Sequence, residues 1–544
     1  MKEDNFNQET FSDHRTLVRS SFYSFLSIYG NFFFNLIITF LIARLISPES
    51  WIILIIANSY ILIITLILTF FPPGLQQTLR YYVPRYQSLN QTQNLKSLLK
   101  SAFITKMLFL IPIFIISLLI FNFFQNIFLL NLNPEDINLL FLLSPLIIIN
   151  GLELYLNSFN EGLNNFKFIF LLLVLKNLLY IGLLISFFFI TGNLGLENIA
   201  IFNVVSYAIA FFINLLFVLK KYLKIKIDNK TPIFHNDELM KILKYGAPVR
   251  GGRFLSDIWG EIQIQSIGAL EPLFTTGFYL AKTYLAVSTN ALNSFSSPLT
   301  VSFSRFMAKD EKEKIKAIYN LILKYSLFTF LLLTGILFLA TDFFLYILGE
   351  DYLQFSIILK IYLFSYLFLS FAAPFDALML AEHKPKMILY IRFLGLVLRL
   401  PLFLFLLVWF GIIPALIGII ISNSVFGFFY LFFTIKWGKL HIELKPLIVL
   451  YITFALSLIL VLILQMLFLE ELEILLFDFL HLSILKNFYP LSILTFFCIF
   501  AFLNLILKII TIQDIENLRS IFHKQKLLNK VLLKILNILK RIHG

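Results

Sequence analysis

Residues 15–86 read RTLVRSSFYSFLSIYGNFFFNLIITFLIARLISPESWIILIIANSYILIITLILTFFPPGLQQTLRYYVPRY. Two long apolar runs stand between basic ends, and the short segment SPES at 47–50 joins them. Hydrocarbon about 30 Å thick takes roughly 20 apolar residues per helix, so each run reads as a membrane span. Barrel strands would be shorter and would alternate strictly, which these runs do not. The flanks set the direction. Arg15, Arg19, Arg80 and Arg85 lie outside the pair of runs, and the connection between the runs holds only Arg44. Lys and Arg collect in cytoplasmic segments, so the chain leaves the cytoplasm and returns to it.

The same unit repeats along the whole chain. Candidate spans fall at about 20–43, 51–71, 103–124, 137–160, 168–190, 196–219, 245–269, 273–303, 318–341, 356–381, 388–409, 412–435, 447–469 and 489–511. The connections alternate between basic and almost free of Lys and Arg, with Arg44 and Lys486 the exceptions in the second class. The expectation is an all-α integral membrane protein of about fourteen transmembrane helices, with both termini cytoplasmic. The first block follows a polar leader, is too long for a signal-peptide core and lacks a small-residue cleavage site, so an uncleaved anchor is expected.

A mean hydropathy of +0.87 excludes an ordinary soluble domain. The net charge of +13 sits in the basic connections and the tail. There it orients helices and meets anionic lipid, so no nucleic-acid partner is expected. Cys498 is the single cysteine, which rules out an intramolecular disulfide. HExxH, GxSxG, GxxxxGK[ST] and CxxC do not occur, and His14, His235, His383, His441, His481, His523 and His543 all fall outside the apolar blocks. No enzyme, metal centre or ATP-driven pump is expected of this chain, and no connection is long enough for a folded external domain.

The organisation reads as an N-terminal lobe at 1–219, a linker at 220–244 and a C-terminal lobe at 245–435. Two further helices at 436–511 and a basic amphipathic tail helix at 512–544 complete it. A weak internal repeat supports two equivalent lobes. VPRYQSLNQTQNLKSLLKSAF (83–103) matches FSRFMAKDEKEKIKAIYNLIL (303–323), so that Arg85 falls on Arg305. Six-helix halves with a substrate path between them are a common transporter plan. In the tail, Leu528, Val531, Leu532, Ile535, Leu539 and Ile542 line one helical face and Lys and Arg enrich the rest, as on a surface helix at an anionic leaflet.

Charges inside the blocks ask for a reason, because each costs roughly 2.5–3.5 kcal/mol at a helix centre on insertion scales. The seventh block, KYGAPVRGGRFLSDIWGEIQIQSIG, carries Arg250, Arg253, Asp257 and Glu261, and Gln265 extends the stripe. Spacings of three and four residues put these on one helical face. Asp257 lies roughly 18 Å along the helix from Tyr245, near mid-membrane. Such a stripe lines an aqueous cavity or pairs internally, Arg253 with Asp257 one turn on. Gly246, Pro248, Gly251 and Gly252 predict a bend or broken turn. The arginines suit an anion such as phosphate. The deeper acids suit H⁺ or Na⁺, and Lys282, Glu153 and Asp376 are further candidates for the cavity or for ion coupling. Lys176 and Lys360 are expected to snorkel to an interface.

LIARLISPESWIILIIANSYI and GLQQTLRYYVPRYQSLNQTQNLKSLL, followed by LKYGAPV, TTGFYLAKTY, SRFMAKDEKEKIKAIY and ILGEDYLQFSIILKIY, resemble oligosaccharide flippases of the polysaccharide-export type. These belong to the multidrug/oligosaccharidyl-lipid/polysaccharide (MOP) flippase superfamily. The resemblance covers most of 15–440. It implies two six-helix lobes around a cationic cavity, and movement of a polyprenyl-(pyro)phosphate-linked oligosaccharide to the outer leaflet by alternating access, driven by an ion gradient or the membrane potential. By position it assigns lipid phosphate or sugar to Arg250 and Arg253. Arg15, Arg19, Arg80, Arg85 and Arg305 are candidates for lipid phosphate at the cytoplasmic side. Trp51 departs from the family, which usually has a small residue there. Expected partners are the lipid-linked oligosaccharide, anionic lipids and enzymes of glycan assembly, with the protein a monomer in the cell membrane. No cofactor is expected beyond a coupling H⁺ or Na⁺. The rival readings are a MATE-like multidrug or metabolite antiporter and a non-transporting subunit of a glycan-assembly complex.

Overall fold

The computed structural model describes residues 29–72, 91–124, 134–163, 165–223, 236–294, 312–382, 384–438, 440–469 and 489–509, with a few single positions between them. Among these residues the chain is helical and contains no strand. Each of the fourteen apolar blocks overlaps a helix. By length and apolarity, nine described helices are long enough to cross a membrane. A tenth span is counted if Glu350–Tyr366 and Leu369–Ala381, which meet at 43°, are taken together. Tyr29–Leu45 and Pro490–Ile506 are shorter apolar helices. The seventh block is a helix too, but its charges set it apart from the apolar spans.

Seven helices carry the argument: α1 (Pro48–Phe70), α2 (Thr92–Phe124), α3 (Pro145–Gly162), α4 (Phe166–Thr191), α5 (Leu196–Leu223), α6 (Asn236–Leu270) and α7 (Pro385–Phe410). Their ends follow local chemistry. Ser47 caps α1, its hydroxyl accepting from the Ser50 N–H at 3.3 Å, and Pro48 supplies the first-turn φ. α4 stops at Gly192, whose φ of 70° is the left-handed conformation that closes many helices. Trp51 on α1, where the resemblance leads one to expect a small residue, is buried edge-on against Tyr279 at 6.1 Å.

By internal packing the chain falls into two compact units. One comprises Met1–Leu280 and Lys384–Gly418, and the other Ala281–His383 and Ile419–Gly544. These units cut across the sequence order: α6 and α7, both beyond residue 219, pack in the first unit. α6 lies against α1 on one side and α7 on the other. The second unit is organised by rings. Phe328 stacks on Phe500 at 5.2 Å, Phe500 on Phe496 at 5.7 Å, and Phe454 meets Phe496 edge-on at 6.2 Å. The tail at 512–544 lies outside the described residues, as do residues 224–235 of the linker.

Candidate functional site

α6 is one helix of 35 residues and runs through Pro248 without a break. The broken turn expected from Gly246, Pro248, Gly251 and Gly252 is therefore absent. Gly251 and Gly252 serve close packing instead. A Cβ at Gly251 would lie 3.1 Å from Leu389 of α7, and one at Gly252 3.3 Å from Ile388.

The polar stripe divides. At about 100° per residue, Arg250, Phe254, Glu261 and Gln265 fall within a sector of about 60°, with Arg253 and Asp257 on its flank. The first sector is packed on α1. The Arg250 guanidinium donates to the Thr69 hydroxyl. Phe254 meets Phe70 at 5.1 Å. Glu261, 8% exposed, accepts a hydrogen bond from Ser59 Oγ at 2.8 Å. Gln265 donates to the Ile56 carbonyl at 2.9 Å. This is a ladder of contacts between two antiparallel helices, and it satisfies groups that lipid could not. Arg253, Ser256 and Asp257 remain exposed on the first unit. An ionisable group at a helix centre is costly in hydrocarbon, so the exposure of these two charges asks for a polar surrounding.

Next to the ladder is a buried cation that the sequence reading did not single out. Lys106 of α2 is 4% exposed, and its ammonium donates to the carbonyls of Leu68 and Phe71. It caps the last turn of α1, where carbonyls lack intrahelical partners. Arg250 acts on it electrostatically, so two cations gather at this end of α1.

The other predicted residues are more scattered. Glu153 stands half-buried on α3 and acts electrostatically on Lys176 of α4. The Lys176 ammonium lies 3.9 Å from the centre of the Tyr207 ring on α5, so it turns to an aromatic face rather than snorkelling outward. Lys360 does not snorkel either. It is ion-paired to Asp342 at 2.7 Å in the second unit. Lys282 is half-buried in that unit, on the helix Thr275–Ser294. Asp376 is half-buried on Ala372–Ala381 and acts on Tyr319, whose hydroxyl is 3.0 Å from Thr434 Oγ1. Arg15, Arg19, Arg80, Arg85 and Arg305 lie outside the described residues.

Residues 17–272 match the family described as polysaccharide biosynthesis protein. No curated protein matches the chain. Among solved structures, an inward-facing multidrug resistance MATE transporter of the MOP superfamily is similar, with a TM-score of 0.63 at 16% identity over 75% of this chain and 95% of that one. A MOP superfamily transporter from Pyrococcus furiosus has a TM-score of 0.58 at 15% identity, over 78% of this chain and 94% of that one. A Vibrio cholerae MATE transporter mutant has a TM-score of 0.57 at 15% identity, over 79% and 98%. The fold is that of the MOP-superfamily transporters. The family match covers just under half of the chain, and the apolar helices together with the shared fold mark a multi-pass membrane protein. This agrees with the resemblance read from the sequence.

Proposed function

We propose that the protein is a flippase that carries a polyprenyl-(pyro)phosphate-linked oligosaccharide from the cytoplasmic to the outer leaflet of the cell membrane by alternating access. The observation that carries this reading is the cationic end of α6, inside the matched region: Arg250 anchored on Thr69, and Arg253 exposed one turn further on. A guanidinium presents a planar fork of donors that fits phosphate oxygens. Arg250 is held on Thr69 and Arg253 is exposed on the same helix end, so two guanidinium groups stand within one turn of each other. Arg15, Arg19, Arg80, Arg85 and Arg305 would extend the phosphate-binding surface. Asp257, about 6 Å further along α6 from Arg253, is the acid best exposed for coupling to H⁺ or Na⁺. Glu261 is committed to Ser59 and would couple only if that bond exchanged. Enzymes of glycan assembly are the natural partners of such a carrier.

A second reading, a MATE-like antiporter, is favoured by the solved neighbours, which include multidrug MATE transporters. The arginines oppose it, because a cationic drug would meet like charge. The test is a protection assay in proteoliposomes holding a fluorescent polyprenyl-pyrophosphate oligosaccharide, read as loss of access to an added glycosidase. Wild type should translocate, and the Arg250→Ala/Arg253→Ala variant should fall by at least about 100-fold, the scale of two lost charge-assisted contacts at about 1.5–3 kcal/mol each. Wild-type rates with both arginines replaced would sink the flippase reading. Drug uptake without lipid translocation would favour the antiporter.

A further inference from the structure

Three helices of the first unit, α3, α4 and α5, meet around polar side chains that the α6 stripe does not use. Lys176 lies roughly 15 Å along α4, Tyr207 roughly 16 Å along α5 and Glu153 roughly 12 Å along α3, so all three stand near the middle of their spans. The ammonium of Lys176 sits 3.9 Å from the Tyr207 ring centre, and the Glu153 carboxylate acts on it electrostatically. Further polar contacts lie one to two turns, roughly 6–10 Å, along α3 and α5. Asn214 Nδ2 donates to Asn157 Oδ1 at 2.9 Å, and Asn160 Nδ2 donates to Asn214 Oδ1 at 2.8 Å. Tyr180, one turn beyond Lys176 on α4, is buried beside this group.

A carboxylate and an aromatic face are what a monovalent cation needs inside an apolar span. A bare lysine at this depth would cost several kcal/mol, and the arrangement offsets that cost with attraction from two sides. We propose that the cluster is a monovalent-cation seat filled from within, with the Lys176 ammonium as resident cation between Glu153 and Tyr207. Two consequences follow. Glu153 is occupied and does not serve as an exchangeable ion site. Removal of the lysine side chain creates a seat that a small free cation, sodium or methylammonium, enters.

The test is thermal unfolding of the purified full-length protein in detergent, in chloride salts of choline, sodium or methylammonium at equal ionic strength. It uses no transport substrate, so its outcome is independent of the flippase reading. Any sodium dependence of the wild-type melting temperature should be left unchanged by Glu153→Gln. Lys176→Ala should melt lower in choline and regain about 2 °C or more in sodium or methylammonium, a linkage effect of the bound ion. Adding Glu153→Gln to that variant should abolish the regain. Lys176→Gln, which keeps the stem and a polar end, carries the same comparison if the alanine variant does not fold. Two results would overturn the proposal: a sodium-dependent melting temperature in wild type that Glu153→Gln removes, or a Lys176 variant whose melting is the same in every salt.

Discussion

The contact between α1 and α6 and the ring cluster of the second unit solve the same packing problem in opposite ways. Lipid tails are as apolar as leucine, so helices in a membrane gain little by burying apolar surface against each other. The α1–α6 contact is built from directed bonds: Arg250 to Thr69, Ser59 to Glu261, and Gln265 to the Ile56 carbonyl. In the second unit Phe328, Phe454, Phe496 and Phe500 interlock by shape, with one side-chain hydrogen bond between Thr453 and Asn504 at 3.2 Å beside them. Shape packing of this density has one arrangement and resists change. Hydrogen bonds can be traded one for another, with water or with a ligand phosphate. The exchangeable contact lies where charges face outward, and the rigid one lies where no charge is involved.

The largest effect should come from filling the ring cluster. Gly335 lies directly under Phe496, and a Cβ there would fall inside the van der Waals surface of that ring. Phe496 is fully buried between Phe454 and Phe500 and has nowhere to move. Gly335→Leu should leave no monodisperse folded protein on size-exclusion chromatography. A variant that purifies and melts like wild type would show that the cluster is plastic and would remove the contrast. The next effect belongs to the polar side. Lys106→Met keeps the apolar stem and deletes the ammonium that caps Leu68 and Phe71. Buried carbonyls that lose a donor cost about 1–3 kcal/mol, which should appear as an earlier midpoint in reversible unfolding by denaturing detergent. No change in midpoint would mean that water replaces the lysine, and that this end of α1 is wet.

Most of the scaffold was legible in the chain. The apolar blocks and the basic connections are imposed by the bilayer itself, and each block lies on a helix. The site was legible only in part, for geometric reasons. Spacings of three and four residues put Arg250, Arg253, Asp257 and Glu261 on one broad band, but α1 covers one flank and leaves the other open. Which flank is covered depends on a partner nearly 200 residues away in sequence. Lys106 was hidden because a lysine near a cytoplasmic end satisfies the orientation rule and asks for no second explanation. Lys176 looked free to snorkel because its two partners, Glu153 and Tyr207, stand on other helices. Gly251 and Gly252 read as a break because glycine permits one, whereas here they admit the side chains of α7.

The smallest effect is the sharpest test of the comparison. Gln265→Leu removes the donor to the Ile56 carbonyl while keeping nearly the same volume between α1 and α6. That carbonyl sits inside α1 and has its own helical N–H partner, so it is not stranded when the glutamine goes. Side-chain hydrogen bonds between membrane helices average about 0.6 kcal/mol in double-mutant cycles, and a satisfied acceptor puts this bond at or below that mean. Phe500→Ala, by contrast, empties a fully buried ring site, where such truncations cost about 3–5 kcal/mol. The two variants unfolded side by side should therefore differ several-fold, with the glutamine variant close to wild type. If Gln265→Leu proved as costly as Phe500→Ala, the α1–α6 bonds would be cooperative and rigid. Their exchange during transport, which coupling through Glu261 would require, would then be too expensive to occur.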